Sequence, residues 1–185
     1  ITMQLPEKYI LFVGSRYSYK NFNRFIEAFS LLAQKDSKLY LICTGNKFSQ
    51  GEEDKLSKLH IKNKTLQINA SDKELSELYT RASLFVFPSL YEGFGIPILE
   101  AYACHCPIAI SNTSCFPEIA GDAAIYFDPY SVKDIANTIE AIIYNPQKAN
   151  ELIQKGIKRL ELYSWEKTVV ETEETYKKAI QGYNF

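Results

Sequence analysis

The sequence predicts an α/β domain, an open, doubly wound parallel sheet of about six strands with helices on both faces and further helices closing the C-terminal end. Short apolar runs alternate with amphipathic stretches along the whole chain, as repeated strand–helix–strand units require. The runs stop at Gly, Thr-Gly or Pro-Ser, the punctuation expected at strand ends. No low-complexity tract or repeat period interrupts them, and 185 residues suit one domain.

Each element has a local reason. Tyr9-Ile10-Leu11-Phe12-Val13 stops at Gly14, and Phe22, Phe25, Ile26, Phe29 and Leu32 follow at three- and four-residue steps, so a strand gives way to a helix. Leu39 to Cys43 is a second strand ending at Thr44-Gly45, and a charged helix carrying Leu56 and Leu59 follows. Leu66-Gln67-Ile68 is a brief third strand. Ser71 then stands three residues ahead of Glu74, a capping-box start for a helix bearing Leu75, Leu78 and Tyr79. Leu84 to Phe87 forms the fourth strand, and a loop to Gly95 enters the apolar helix Pro97 to Cys104, with Pro97 expected at the first helical position. Pro107 to Ile110 is a fifth strand, a short helical turn runs from Phe116 to Ile119, and Ala124 to Phe127 is a sixth strand. Helices over Val132–Tyr144, Pro146–Leu162 and Trp165–Ile180 complete the chain.

Composition narrows the function. With 46% hydrophobic and 23% charged residues the chain is neither disordered nor a coiled coil. Its formal charge of −1 offers no broad attraction to nucleic acid, so a nucleic-acid partner is not expected. Four cysteines (Cys43, Cys104, Cys106 and Cys115) are too few for a disulfide scaffold and read as reduced thiols. The spacing in Cys104-His105-Cys106 is too tight for a zinc pair, so packing is the expected role and no metal is assigned. No apolar run reaches the ~20 residues of a membrane span, and the first residues lack a signal-peptide pattern, so a cytoplasmic location is expected.

A doubly wound sheet binds ligands outside the carboxyl ends of its strands. The loop Gly14-Ser15-Arg16-Tyr17-Ser18-Tyr19-Lys20-Asn21 places a guanidinium and an ammonium there, suited to a diphosphate. A solvated loop with idle charges is the plain alternative. The loop Pro88 to Gly95 brings two glycines to the start of the next helix, whose free N–H groups favour an anion. Glu100, one turn inside that apolar helix, needs a partner, and a ribose diol or a lysine would each serve. Tyr17, Tyr19 and Phe94 lie in ligand-side loops, whereas the other aromatic rings fall at core spacing.

The segment "LFVFPSLYEGFGIPILEA" (84–101) resembles the signature of retaining glycosyltransferases of the GT-B fold, in which two glutamates bracket seven residues as Glu92 and Glu100 do. "FVGSRYSYKN" resembles that family's diphosphate loop, "ELYTRAS" the helix before the signature strand, "FPEIAGDAAIYFDP" the loop and strand after it, and "YSWEKT" a later helix start. The matches run in family order over nearly the whole chain. The resemblance implies that this is the Rossmann-like, donor-binding half of a GT-B enzyme. Residues 9–185 would form the C-terminal sugar-nucleotide domain, residues 1–8 would be the remnant of an interdomain linker, and the N-terminal acceptor domain would be a missing partner.

Carried over residue by residue, the resemblance implies that Arg16 and Lys20 hold the donor diphosphate beside Gly14 and stabilise the leaving group. Glu92 would sit by the donor sugar, the backbone of Gly93, Phe94, Gly95 and Ile96 would donate to sugar hydroxyls or phosphate, and Glu100 would grip the ribose. Base contacts would come from Gly45-Asn46-Lys47 and Asn69-Ala70. Ser15 falls between Gly14 and Arg16, where many members join Gly directly to Arg, and His105 replaces a common Gly. If Arg16 faces solvent, Lys20 alone would carry the phosphate. The implied substrate is a UDP- or GDP-sugar, with no cofactor and no metal. The acceptor would be a glycan or lipid-linked sugar at the inner face of the membrane, reached through the other domain, and the product a surface polysaccharide. Rival readings are a dehydrogenase, which lacks its G-x-G-x-x-G fingerprint here, a sugar-nucleotide epimerase, and a non-catalytic nucleotide- or phosphate-binding module.

Overall fold

The computed structural model describes residues 3–182, so the linker reading of Ile1 and Thr2 and the last three residues of the expected domain lie outside the described residues. Six strands form one parallel sheet: β1 (Tyr9–Phe12), β2 (Tyr40–Thr44), β3 (Thr65–Ile68), β4 (Leu84–Phe87), β5 (Ile108–Ser111) and β6 (Ile125–Phe127). Their order is β3-β2-β1-β4-β5-β6, with the direction of winding reversing between β1 and β4. Two loops diverge from that point, which opens the crevice in which such sheets bind ligands.

The helices are α1 (Phe22–Lys35), α2 (Gln50–Lys58), α3 (Asp72–Arg81), α4 (Ile96–Ala103), α5 (Phe116–Ala120), α6 (Val132–Ile143), α7 (Pro146–Leu160) and α8 (Trp165–Gly182). Side chains alternate across each strand, so the sheet has two apolar faces. Ile10, Phe12, Leu84 and Val86 pack with Phe25, Ile26 and Phe29 of α1 and Ile139 of α6. Tyr9, Leu11, Phe85 and Phe87 pack on the other face with Ile98 and Tyr102 of α4 and Phe116 of α5. Each fully buried side chain of this size contributes roughly 1.5–3 kcal/mol, which makes the sheet a rigid base for its loops. α8 has no buried residue, and Trp165 is 76% exposed. No helix among the described residues is long and apolar enough to cross a membrane.

Local signals placed most boundaries. The capping box at Ser71 and Glu74 is present, and a second joins Ser49 to Glu52 at the start of α2. Several ends shift by one or two residues, as in β5 (Ile108–Ser111, expected from Pro107 to Ile110) and α7 (ending at Leu160 rather than Leu162), and α4 begins at Ile96, so Pro97 takes the second helical position. Pro fits there too, because that N–H also lacks an intrahelical partner.

Both histidines of the chain occupy left-handed backbone, His60 at φ 58° and His105 at φ 55°. After α4, the His105 N–H donates to Tyr102 O at 3.1 Å and the Cys106 N–H to Ala101 O at 2.9 Å, a Schellman turn that usually takes Gly. His60 and Ile61 repeat the arrangement after α2. His105 is therefore tied to the helix end by backbone geometry. His105→Gly is expected to raise stability by about 1 kcal/mol, or about 2–4 °C in the thermal midpoint, because Gly adopts left-handed backbone without steric cost. Thermal unfolding checks this.

Candidate functional site

The carboxyl ends of β1, β4 and β5 bring three loops together. Lys20 closes a short 3-10 turn (Ser18–Lys20) after β1, and its Nζ lies 2.7 Å from Glu92 Oε1 in the loop after β4. The two side chains are only 12% and 16% exposed, and the ammonium lies 5.2 Å from the centre of the Phe87 ring. Backbone links these loops as well, with the Leu90 N–H donating to Tyr19 O at 2.7 Å. The loop residues point to Lys20 and the family resemblance to Glu92, and the strand order makes them a pair.

The loop after β4 turns into α4 at Gly95, whose φ of 104° is one that residues with a Cβ rarely adopt. A Cβ there would also stand 3.1 Å from Ile98. The N–H groups of Gly93, Phe94, Gly95 and Ile96 make no hydrogen bond among the described residues. They stand at the positive end of α4 and follow Glu92 directly in the chain. The ring of Phe94 packs edge-on against Tyr163, with centroids 6.0 Å apart. Tyr17 and Tyr19 are exposed and stacked on each other, 6.3 Å between centroids.

Arg16 does not face solvent, its side chain being 5% exposed. Nε donates to Glu52 Oε1 at 2.7 Å, Nη1 to Thr44 O at 3.2 Å, and Nη2 to Asn46 O at 2.6 Å and Lys47 O at 3.0 Å. The guanidinium also lies 4.7 Å from the Phe48 ring centre. One Nη1 hydrogen is left. Burial opposes the charge of Glu52, but hydrogen bonds from Ser49 and Arg16 outweigh it, so its carboxyl titrates below the usual value. Arg16 thus pins the Gly45-Asn46-Lys47 loop to the loop after β1. The Gly14 N–H is engaged as well, donating to Thr44 Oγ1 at 3.0 Å. Gly45 lets the two loops touch, since a Cβ on it would lie 2.9 Å from Gly14 O. A cavity of about 340 Å³ opens between them, lined by Arg16, Tyr17, Asn46, Lys47, Ser49 and Glu52.

Glu100 is half-buried one turn into α4, and its partner is neither a lysine nor an arginine. The Tyr79 hydroxyl donates to Glu100 Oε2 at 3.0 Å. Burial, and then the charge of Glu100, push the Tyr79 phenol well above its ordinary range, so it stays a donor. One carboxylate oxygen is left to accept from elsewhere. Cys106 is buried, and burial pushes its thiol far up, as packing predicts.

Sequence reasoning overlooked Glu52, Tyr79, Ser114 and Cys115. Tyr79 carried a signal, since it sat in "ELYTRAS" with its ring at a core position, but its hydroxyl was not followed to a partner. Ser114 and Cys115 carried none, because the contacts that matter are to a loop some twenty residues earlier in the chain. The Ser114 hydroxyl donates to Glu92 O at 2.7 Å and accepts from the Glu92 N–H at 3.3 Å.

Comparison with known proteins bears on the family and the fold. The family described as glycosyl transferases group 1 matches residues 3–159. The O-antigen chain mannosyltransferase B of Escherichia coli is 32% identical over 176 residues, covering 91% of this chain and 45% of that protein. The O-antigen chain mannosyltransferase RfbU of Salmonella typhimurium is 31% identical over 137 residues, covering 74% of this chain and 38% of the relative. The chain therefore spans under half the length of either relative. Among solved structures, the sucrose-phosphate synthase of Thermosynechococcus elongatus superposes with a TM-score of 0.80 at 21% identity, over 95% of this chain and 46% of that one. The C-terminal domain of a group 1 glycosyl transferase (LpcC) from Francisella tularensis gives 0.75 at 23% identity, over 86% of this chain and 87% of that one. The fold is the expected Rossmann-like α/β half of the GT-B type. The family match runs from the segment before β1 into the last turn of α7, across all six strands and every loop of the site, and on that ground the chain belongs to the group 1 glycosyltransferases.

Proposed function

We propose that this chain is the donor-binding half of a retaining glycosyltransferase that moves a hexosyl group from a UDP- or GDP-sugar to a glycan or lipid-linked acceptor in surface polysaccharide synthesis. The observation that carries the reading is the Lys20–Glu92 pair at the switch point of the sheet, beside four N–H groups leading into α4 that make no hydrogen bond among the described residues. Such a site needs an anion on one side and a group that develops positive charge on the other. Glycosyl transfer from a diphosphate supplies both, because the bond from the anomeric carbon to the phosphate oxygen breaks toward the phosphate as the sugar becomes oxocarbenium-like. Lys20, the remaining Nη1 hydrogen of Arg16 and the Ile96 amide would take the charge on the leaving diphosphate, with no metal ion, and the Gly93, Phe94 and Gly95 amides would donate to sugar hydroxyls. Glu92 would face the sugar, Glu100 the ribose, and the cavity beside Asn46 and Lys47 the base. Both O-antigen relatives are named mannosyltransferases, which favours GDP-mannose among the donors. Residues 9–185 would be the C-terminal domain, and an N-terminal domain, working at the inner face of the membrane, would bring the acceptor.

Calorimetric titration of the full chain with UDP, GDP, ADP and NAD, and with UDP-glucose and GDP-mannose, tests this. One nucleoside diphosphate and its sugar are expected to bind, and the Glu100→Ala variant is expected to lose about tenfold or more, the worth of hydrogen bonds to a charged group. Binding of NAD alone would instead support a dehydrogenase.

A further inference from the structure

Ser114 sits in left-handed backbone at φ 56°. Other such residues have a local reason: His60 and His105 complete helix ends, and Asn21 joins the 3-10 turn to α1. Ser114 ends no helix. It is the first central residue of a turn closed by the Phe116 N–H to Thr113 O at 3.3 Å, a position where positive φ favours Gly, Asn or Asp. A serine held there against its preference points to its hydroxyl, since strained backbone persists where surrounding contacts require it.

That hydroxyl captures both backbone groups of Glu92, donating to its carbonyl at 2.7 Å and accepting from its N–H at 3.3 Å. The next side chain continues the grip. The Cys115 thiol lies within donating distance of Glu92 O at 3.3 Å and Phe94 O at 2.9 Å. The Glu92 and Phe94 carbonyls are thereby turned toward the loop after β5, while the N–H groups of Gly93, Phe94 and Gly95 make no hydrogen bond among the described residues. In a stretch carrying two glycines, nothing in the chain's own preferences would hold that orientation.

We propose that Ser114 and Cys115 are positioning residues. They clamp the Glu92–Phe94 backbone so that its amides and the Glu92 carboxylate meet the sugar end of the donor. The proposal rests on the donor-site reading above. Ser114 and Cys115 bond to the backbone of the sugar-facing loop and touch neither Lys20 nor the lining of the base cavity directly, so the clamp bears on the bound sugar more than on the nucleotide.

The test uses the full chain, with UDP, GDP, UDP-glucose and GDP-mannose as calorimetric probes and amide hydrogen exchange read at Gly93 to Gly95. Ser114→Gly suits the backbone and removes only the hydroxyl, so its thermal midpoint is expected to equal or exceed that of the wild type. Its affinity for the nucleoside diphosphate is expected to stay within about twofold, while affinity for the sugar nucleotide falls about tenfold and amide exchange at the loop quickens by a similar factor. Cys115→Ala is expected to weaken sugar-nucleotide binding about threefold, and Cys115→Ser, which keeps a donor, to restore it. Ser114→Gly protein that binds the sugar nucleotide and exchanges its amides like the wild type overturns the clamp and leaves the donor site standing. Wild-type protein that binds none of the four probes overturns the donor-site reading, and the clamp's role with it.

Discussion

Replacing Glu92 with Gln is expected to tighten the binding of a bare nucleoside diphosphate while nearly abolishing sugar transfer. The Lys20 ammonium already has an anion, the Glu92 carboxylate 2.7 Å away, and both side chains are largely shielded from water. On the proposed reading, a diphosphate entering the crevice would compete with that carboxylate for the same cation. Removing the carboxylate's charge frees Lys20 and removes a repulsive neighbour, so affinity for the diphosphate should rise about three- to tenfold, the range of a partly screened charge interaction. Transfer by the complete enzyme should fall about 10²–10³-fold, as happens when a group that stabilises transition-state charge is lost. Lys20→Ala should move affinity the other way, by about 10–100-fold, since it deletes a charged hydrogen bond and leaves Glu92 facing the incoming phosphate. Calorimetry on the two variants reads both signs. Diphosphate affinity that falls in Glu92→Gln, or survives in Lys20→Ala, would remove Lys20 from the phosphate site.

The second large effect concerns stability and comes from Gly156, buried in α7 against α4. A Cβ built there would lie 2.5 Å from Cδ1 and 2.9 Å from Cε1 of Tyr102. Tyr102 is 2% exposed and packed in the core with Ile98, Phe116 and Ala120, so its ring cannot move aside without disturbing that packing. Replacing a helical Gly with Ala normally stabilises by about 0.5–1 kcal/mol through lost chain entropy. Overpacking a well-filled core costs about 1–3 kcal/mol and should win at this separation. Gly156→Ala is therefore expected to lose about 1–2 kcal/mol net, a drop of about 2–8 °C in the thermal midpoint. Gly51 in α2, where a Cβ meets nothing within 4 Å, is the control, and there Ala should stabilise. Unfolding curves for the two variants decide whether contact or propensity governs.

The sequence was informative about the fold because its signals are local. Leu84–Phe87 is a strand in the structure as in the reading, and Ser71 with Glu74 caps α3 as the spacing requires. Pro97 missed by one position because a Pro suits either of the first two helical residues equally well. The site was legible to a lesser depth. Lys20 and Glu92 were named from separate loops, but their pairing across 72 residues of sequence has no local trace. Arg16 shows why. A guanidinium after β1 suits a diphosphate on its chemistry alone, yet the neighbouring β2 loop brings three carbonyls and Glu52 to the same five donors. Composition cannot say which acceptor arrives first.

By itself, then, the sequence determined the alternation of strands and helices and the parallel sheet, because side-chain periodicity and turn chemistry act over a few residues. Only the tertiary structure decided that Arg16 binds the β2 loop, that Lys20 holds Glu92, that Tyr79 serves Glu100 and that Ser114 grips the signature loop. Those contacts follow from the order in which the strands assemble, which sets which loops meet. Among several chemically adequate partners, a polar group takes the one that strand order brings within hydrogen-bonding distance.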